Sequence, residues 1–135
     1  MPNEPEWLPV EAVVEINRAV VAITAESHFV RDPGLLESAL ARPRNALAYG
    51  EDDLAALAVR LIAGIAQAHA FEQGNKRTAF VAMVQFLNIN SRDLVIEDRE
   101  EWADRIIAFV EHRSTEEEFV QAIRPLVVEF GGNQP

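Results

Sequence analysis

The sequence predicts a single all-α domain over residues 1–135, a compact bundle of about six helices. Three observations lead there. Apolar residues recur at i, i+3, i+4 and i+7 in one segment after another. Each such segment is bounded by proline, glycine, asparagine or a Ser/Thr/Asp residue suited to a helix end. A chain of 135 residues that is 49% apolar is long enough for one domain with a proper core.

The elements follow in order. Residues 1–6 are polar, contain two prolines and should form a loose or docked arm, with Trp7 and Leu8 as its anchor. Pro9 suits a first helical turn, and Val10, Val13, Val14, Asn17, Val20, Val21 and Thr24 mark one inward stripe, so a helix should span 10–25. Residues 26–31 read as a loop in which His28 is packed or solvated rather than a ligand. Asp32-Pro33 is a cap followed by a first-turn proline, opening a short helix 33–41 that Pro43 should end. Pro43, Asn45 and Gly50 then mark a connection.

Residues 53–69 place Leu54, Leu57, Ala58, Leu61, Ile62 and Ile65 on one helix face, and His69 falls four residues after Ile65 on the same side. The helix 75–90 is apolar almost all round through Phe80, Val81, Met83, Val84, Phe86 and Leu87, which predicts a central rod. Residues 93–96 read as a short extended piece. A helix 100–111 buries Trp102, Ile106, Phe109 and Val110, with His112 at its C-terminal end. Ser114 or Thr115, followed by Glu116, Glu117 and Glu118, starts the last helix. Phe119, Ile123, Leu126, Val127 and Phe130 continue its apolar face; Pro125 should kink it, and Gly131-Gly132 should close it before a frayed tail, 131–135.

Composition narrows the function. A formal net charge of −10 argues against nucleic acid as the main partner, because phosphate backbones are met by Lys/Arg surfaces. The absence of cysteine excludes disulfides, thiolate catalysis and cysteine-ligated zinc. No uncharged apolar run approaches the roughly 20 residues of a membrane span. Residues 1–6 lack the basic and apolar regions of a signal peptide. The expectation is a soluble, cytoplasmic protein.

Against that acidic background, His69-Ala70-Phe71-Glu72-Gln73-Gly74-Asn75-Lys76-Arg77-Thr78-Ala79-Phe80 stands apart. An imidazole ends one helix; a glycine loop and two cations open the next. The first N–H groups of a helix have no internal partner and lie at the positive end of its dipole. A glycine there lets anion oxygens approach the amides. Lys76 adds a point charge and Arg77 a bidentate one. Such a tip can hold phosphate, while His69, as an imidazole, can take a proton near neutral pH. Thr78 needs no chemical role.

The stretch resembles the signature of the Fic/Doc (Fido) family, HxFx(D/E)GNGRxxR. His69, Phe71, Gly74, Asn75 and Arg77 match it. Lys76 in place of the second glycine resembles the Doc branch, whose version ends in NKRT, and Phe80 replaces the final arginine of adenylyl-transferring members. Residues 31–40 also look like an early segment of Doc proteins.

The resemblance implies the Fido fold and an enzyme that moves a phosphate-containing group from ATP to a protein hydroxyl. His69 would be the general base. Gly74, Asn75, Lys76 and Arg77 would hold and neutralise the phosphates, the Asn75 side chain included, and Phe71 would set the loop. Lys76 and Phe80 favour phosphoryl transfer, with the translation factor EF-Tu as the implied target; AMP transfer is the alternative. Gln73 stands where the family carries an acid that helps hold Mg²⁺, and an amide oxygen is a weaker ligand for a hard cation. A non-catalytic nucleotide or antitoxin binder is therefore a second alternative. Relatives present the target on a strand-like flap, implied here for Arg44, Asn45 and Tyr49. The sequence has no (S/T)xxxE(G/N) inhibitory signature, since Glu118 is followed by Phe119. The resemblance therefore implies inhibition by a separate small antitoxin.

Overall fold

The structure, a computed structural model, describes residues 4–97 and 99–130; the expectations for residues 1–3 of the arm and for the tail 131–135 lie outside them. Among the described residues there are six α-helices, as the periodicity predicts: α1 (Val10–Ile23), α2 (Pro33–Ala48), α3 (Leu54–Ala68), α4 (Asn75–Ile89), α5 (Arg99–Val110) and α6 (Glu116–Ile123). A 3₁₀ turn, Arg124–Leu126, follows α6. Two three-residue strands, β1 (Arg92–Leu94) and β2 (Val127–Glu129), pair antiparallel with Leu94 opposite Val127. No described helix is long and apolar enough to cross a membrane.

The caps explain why the helices start where they do. Asp32 accepts from the Leu35 amide (3.1 Å) and Asp53 from the Ala55 amide (3.2 Å). Thr115, rather than Ser114, caps α6 in a reciprocal capping box with Glu118. The arm is docked from Glu4 onward: the Asn90 carboxamide clasps the backbone of Glu6, accepting from its amide (2.8 Å) and donating to its carbonyl (2.9 Å), and Trp7 stacks on Phe86 at 5.8 Å.

Four expectations are corrected. The central rod is α3, not α4: Ala55–Val59 and Leu61–Ala66 are all buried, whereas α4 exposes Lys76, Arg77 and Gln85. The alanines and Gly64 keep α3 slim enough to be surrounded. At Gly64 an added Cβ would stand 2.9 Å from the Ala39 carbonyl oxygen of α2.

Pro43 does not end α2, which runs on to Ala48 with Pro43 buried inside it. Proline removes the N–H that would bond the carbonyl four residues earlier, and its ring crowds that same carbonyl. That carbonyl belongs to Ala39, the group packed against Gly64. Arg44 and Asn45 are thus helical and Tyr49 is the C-cap of α2, so these three residues form no strand-like flap.

The last helix stops at Ile123. Pro125 forces a 3₁₀ turn, and the β-branched pair Val127-Val128 continues as β2, leaving Phe130 exposed instead of on an apolar helix face.

Candidate active site

α3 ends at His69, which takes the left-handed conformation (φ 52°, ψ 40°) and turns the chain sharply. The backbone beyond it is held from both sides. The Ala70 carbonyl accepts from the amides of Arg31 (2.7 Å) and Asp32 (3.1 Å), and the Glu72 amide donates to the Phe29 carbonyl (3.0 Å). Phe71 is fully buried, and the Asn75 side chain brackets its backbone, donating to its carbonyl (2.8 Å) and accepting from its amide (3.0 Å). Gly74 then opens α4 at φ +76°, with no side-chain cap on the helix start. A side chain there would be strained and would also meet Val21 Cγ1 at 2.9 Å, so glycine is needed twice over.

These elements enclose a cleft of about 860 Å³. His69, Glu72, Gln73, Gly74, Asn75, Lys76 and Arg77 line its polar end, and Phe80, Leu94, Ile96, Trp102 and Ile106 contribute apolar wall. The imidazole and the start of α4 therefore share one cavity, open to solvent at His69. The His69 ring makes no hydrogen bond to another described residue, which leaves it available to a bound molecule.

The two adjacent cations diverge, as residues about 100° apart on a helix must. Lys76 Nζ lies 3.9 Å from Glu111 Oε2 at the end of α5, and half of its side chain remains exposed. Arg77 is turned instead toward α1. Its guanidinium donates to the Val20 carbonyl (3.1 Å), the Thr24 hydroxyl (3.0 Å) and the Glu26 carboxylate (2.5 Å). The Thr24 hydroxyl and then Arg77 hold the Glu26 carboxyl below its ordinary pKa, because both bond the charged form.

The Asn75 carboxamide bonds the Phe71 backbone through its oxygen and one of its N–H groups, which leaves its second side-chain N–H and its backbone amide for an anion. Arg77 lines the cleft but is fastened to α1, so Lys76 is the less committed cation. Asn45 and Tyr49 line a separate cleft of about 600 Å³ that shares no residue with the first, and Arg44 sits over the Trp7 ring at 5.6 Å.

Gln73 and Glu72 are the side-chain oxygens beside the loop, but the described residues contain no group of three or more His, Cys, Asp or Glu placed to hold a metal ion. This donor set does not fit a metal held by the protein alone. Mg²⁺, which keeps several waters and leans on substrate phosphates, would have to arrive with a nucleotide.

Asn17 was legible only as one member of the first helix's stripe. It is fully buried on α1, and its Nδ2 donates to the Gln73 carbonyl (2.8 Å) and to the hydroxyl of buried Thr78 (3.0 Å). Its Oδ1 meets Nδ1 of His28 at 2.8 Å, so His28 is packed, with its ring 6.4 Å from that of Phe71. The signal available in sequence was an amide among valines and isoleucines, since a buried polar group must be bonded to something.

Comparison with known proteins places this geometry. The model of the Fic/DOC family matches residues 7–87, from the docked arm to the last turn of α4. Over 68 residues the chain is 47% identical to Toxin Doc of Mycolicibacterium smegmatis, covering 48% of this chain and 52% of that protein. The chain thus spans about half the length of this relative.

Proposed function

We propose a function from the premise that this chain belongs to the Fic/DOC family: it is the toxin of a toxin–antitoxin pair and transfers the γ-phosphoryl group of ATP to a hydroxyl of a target protein. EF-Tu is the proposed target, arrest of translation the outcome, and the cytoplasm the place of action. The relative named Toxin Doc supports the toxin reading, and a small antitoxin protein is then the partner.

One observation carries the chemistry. An exposed imidazole, Lys76 and an uncapped helix start line the same cleft, whose other wall is apolar. In the proposed reaction the target hydroxyl enters beside His69, whose ring accepts its proton as the oxygen attacks the γ-phosphorus. The amides at the start of α4 and the Lys76 ammonium take up charge on the phosphate oxygens, and ADP leaves with the electrons of the broken P–O bond. The apolar wall suits a base or ribose face. Mg²⁺, bound to the phosphates, would neutralise part of their charge.

The test is labelling of a bacterial lysate with ATP carrying the label at the γ or the α position. Label retained on one protein from γ only, and lost with His69→Ala, is the expected result. Label from the α position would mean nucleotidyl transfer instead. Gln73 gives a specific ground for the non-catalytic alternative, because the amide replaces an acid. ATP binding without any labelled product, and labelling gained in Gln73→Asp, would establish that alternative.

A further inference from the structure

We propose that Asn17 is a positioning residue for the anion-binding loop. It orients the Gln73–Gly74 peptide and the first turn of α4 so that their amides face the cleft, and His28 fixes which way its carboxamide points. The part that concerns phosphate rests on the function proposed above; the orientation itself does not.

The orientation follows from which groups can donate. The Gln73 carbonyl can only accept, so the amide nitrogen of Asn17 must face it. Oδ1 then faces His28, and the 2.8 Å contact requires a hydrogen on His28 Nδ1. That hydrogen is present in the imidazolium and in one neutral tautomer, so the contact survives either charge state. Within a trans peptide the N–H points opposite to the C=O. A Gln73 oxygen drawn toward α1 therefore turns the Gly74 N–H away from α1. The same Asn17 nitrogen also reaches Thr78, whose amide makes the first backbone bond of α4, to the Gly74 carbonyl at 2.8 Å. One buried carboxamide thus spans the loop from the residue before Gly74 to the first completed turn. Val21, one turn further along α1, closes against Gly74 itself.

Asn17→Asp tests this with little change of shape. It keeps an acceptor for His28 but replaces the donor with a carboxylate oxygen that opposes the Gln73 carbonyl. In the full chain, exchange of the Thr78 amide should rise about tenfold while α5 and α6 keep their protection, as expected when a buried bond is lost locally. Affinity for Mg·ATP should fall by a similar factor.

His28→Ala should give a milder version of both effects, and His28→Asn, which returns an amide donor near the Nδ1 position, should reverse them. A general loss of packing would not be reversed that way. Should Asn17→Asp fail to fold, the His28 pair decides alone. Thr78 exchange equal to wild type in folded Asn17→Asp, or in both His28 variants, overturns the proposal. If wild type binds no ATP, the functional reading fails, while the exchange measurements still decide whether Asn17 holds the loop.

Discussion

Arg77 illustrates how much a single side chain's partners decide. Its position in the motif suggests a hand for phosphate; its hydrogen bonds make it a strut between α4 and the end of α1. Glu26, its partner, has a depressed pKa, first through Thr24 and then through Arg77. A group whose folded pKa is depressed contributes stability above its unfolded pKa and loses that contribution as pH falls through the folded value. Wild type should therefore lose stability relative to Glu26→Gln as pH falls through and below the ordinary glutamate value of about 4.3, and urea unfolding from neutral pH downward measures the difference. A constant gap between the two proteins would contradict this linkage. At this scale the sequence is legible wherever neighbours are close along the chain. His69, Gly74 and Lys76 fall into one site because a helix end and a helix start are separated by a few residues. The Arg77–Glu26 and Asn17–Gln73 contacts join residues 51 and 56 positions apart, and local spacing carries no information about such pairs.

Elements were legible where both ends carried chemistry. α3, α4 and α6 begin where their caps and glycine say they should. α2 runs past Pro43 because proline's effect on a helix depends on what lies against the carbonyl it frees. The freed Ala39 carbonyl lies against Gly64, so the defect in one helix coincides with a close approach by another. Gly64→Ala should test that packing. Alanine favours a helix by up to about 1 kcal/mol over glycine, whereas overpacking against backbone costs about 1–3 kcal/mol. The net expectation is destabilisation, seen as a lower urea midpoint; an unchanged or higher midpoint would mean that α2 yields freely. Residues 124–130 depart from their local pattern for the opposite reason. Pro125 by itself implies a kink in a continuing helix, whereas β2 pairs with β1, more than thirty residues away in sequence.

At the scale of the whole molecule, α3 is the buried axis and the cleft opens where α3 hands the chain to α4. A protein of net charge −10 repels polyphosphates in general, so an anion must be taken up by a local arrangement of amides and a few cations. The all-α class and the helix count were readable from periodicity and caps. The cleft's apolar wall was not, because it is assembled from α4, β1 and α5, which meet only in the fold. The most direct measurement is a titration of the ¹⁵N-labelled protein with Mg·ATP, following backbone amide shifts. The largest changes should fall on Gly74, Asn75, Lys76 and Arg77, with smaller ones along the wall at Leu94 and Trp102. Shifts confined to the second cleft around Arg42, Asn45 and Arg60, or no shifts at millimolar nucleotide, would contradict the assignment of the α4 tip as the seat of the phosphates.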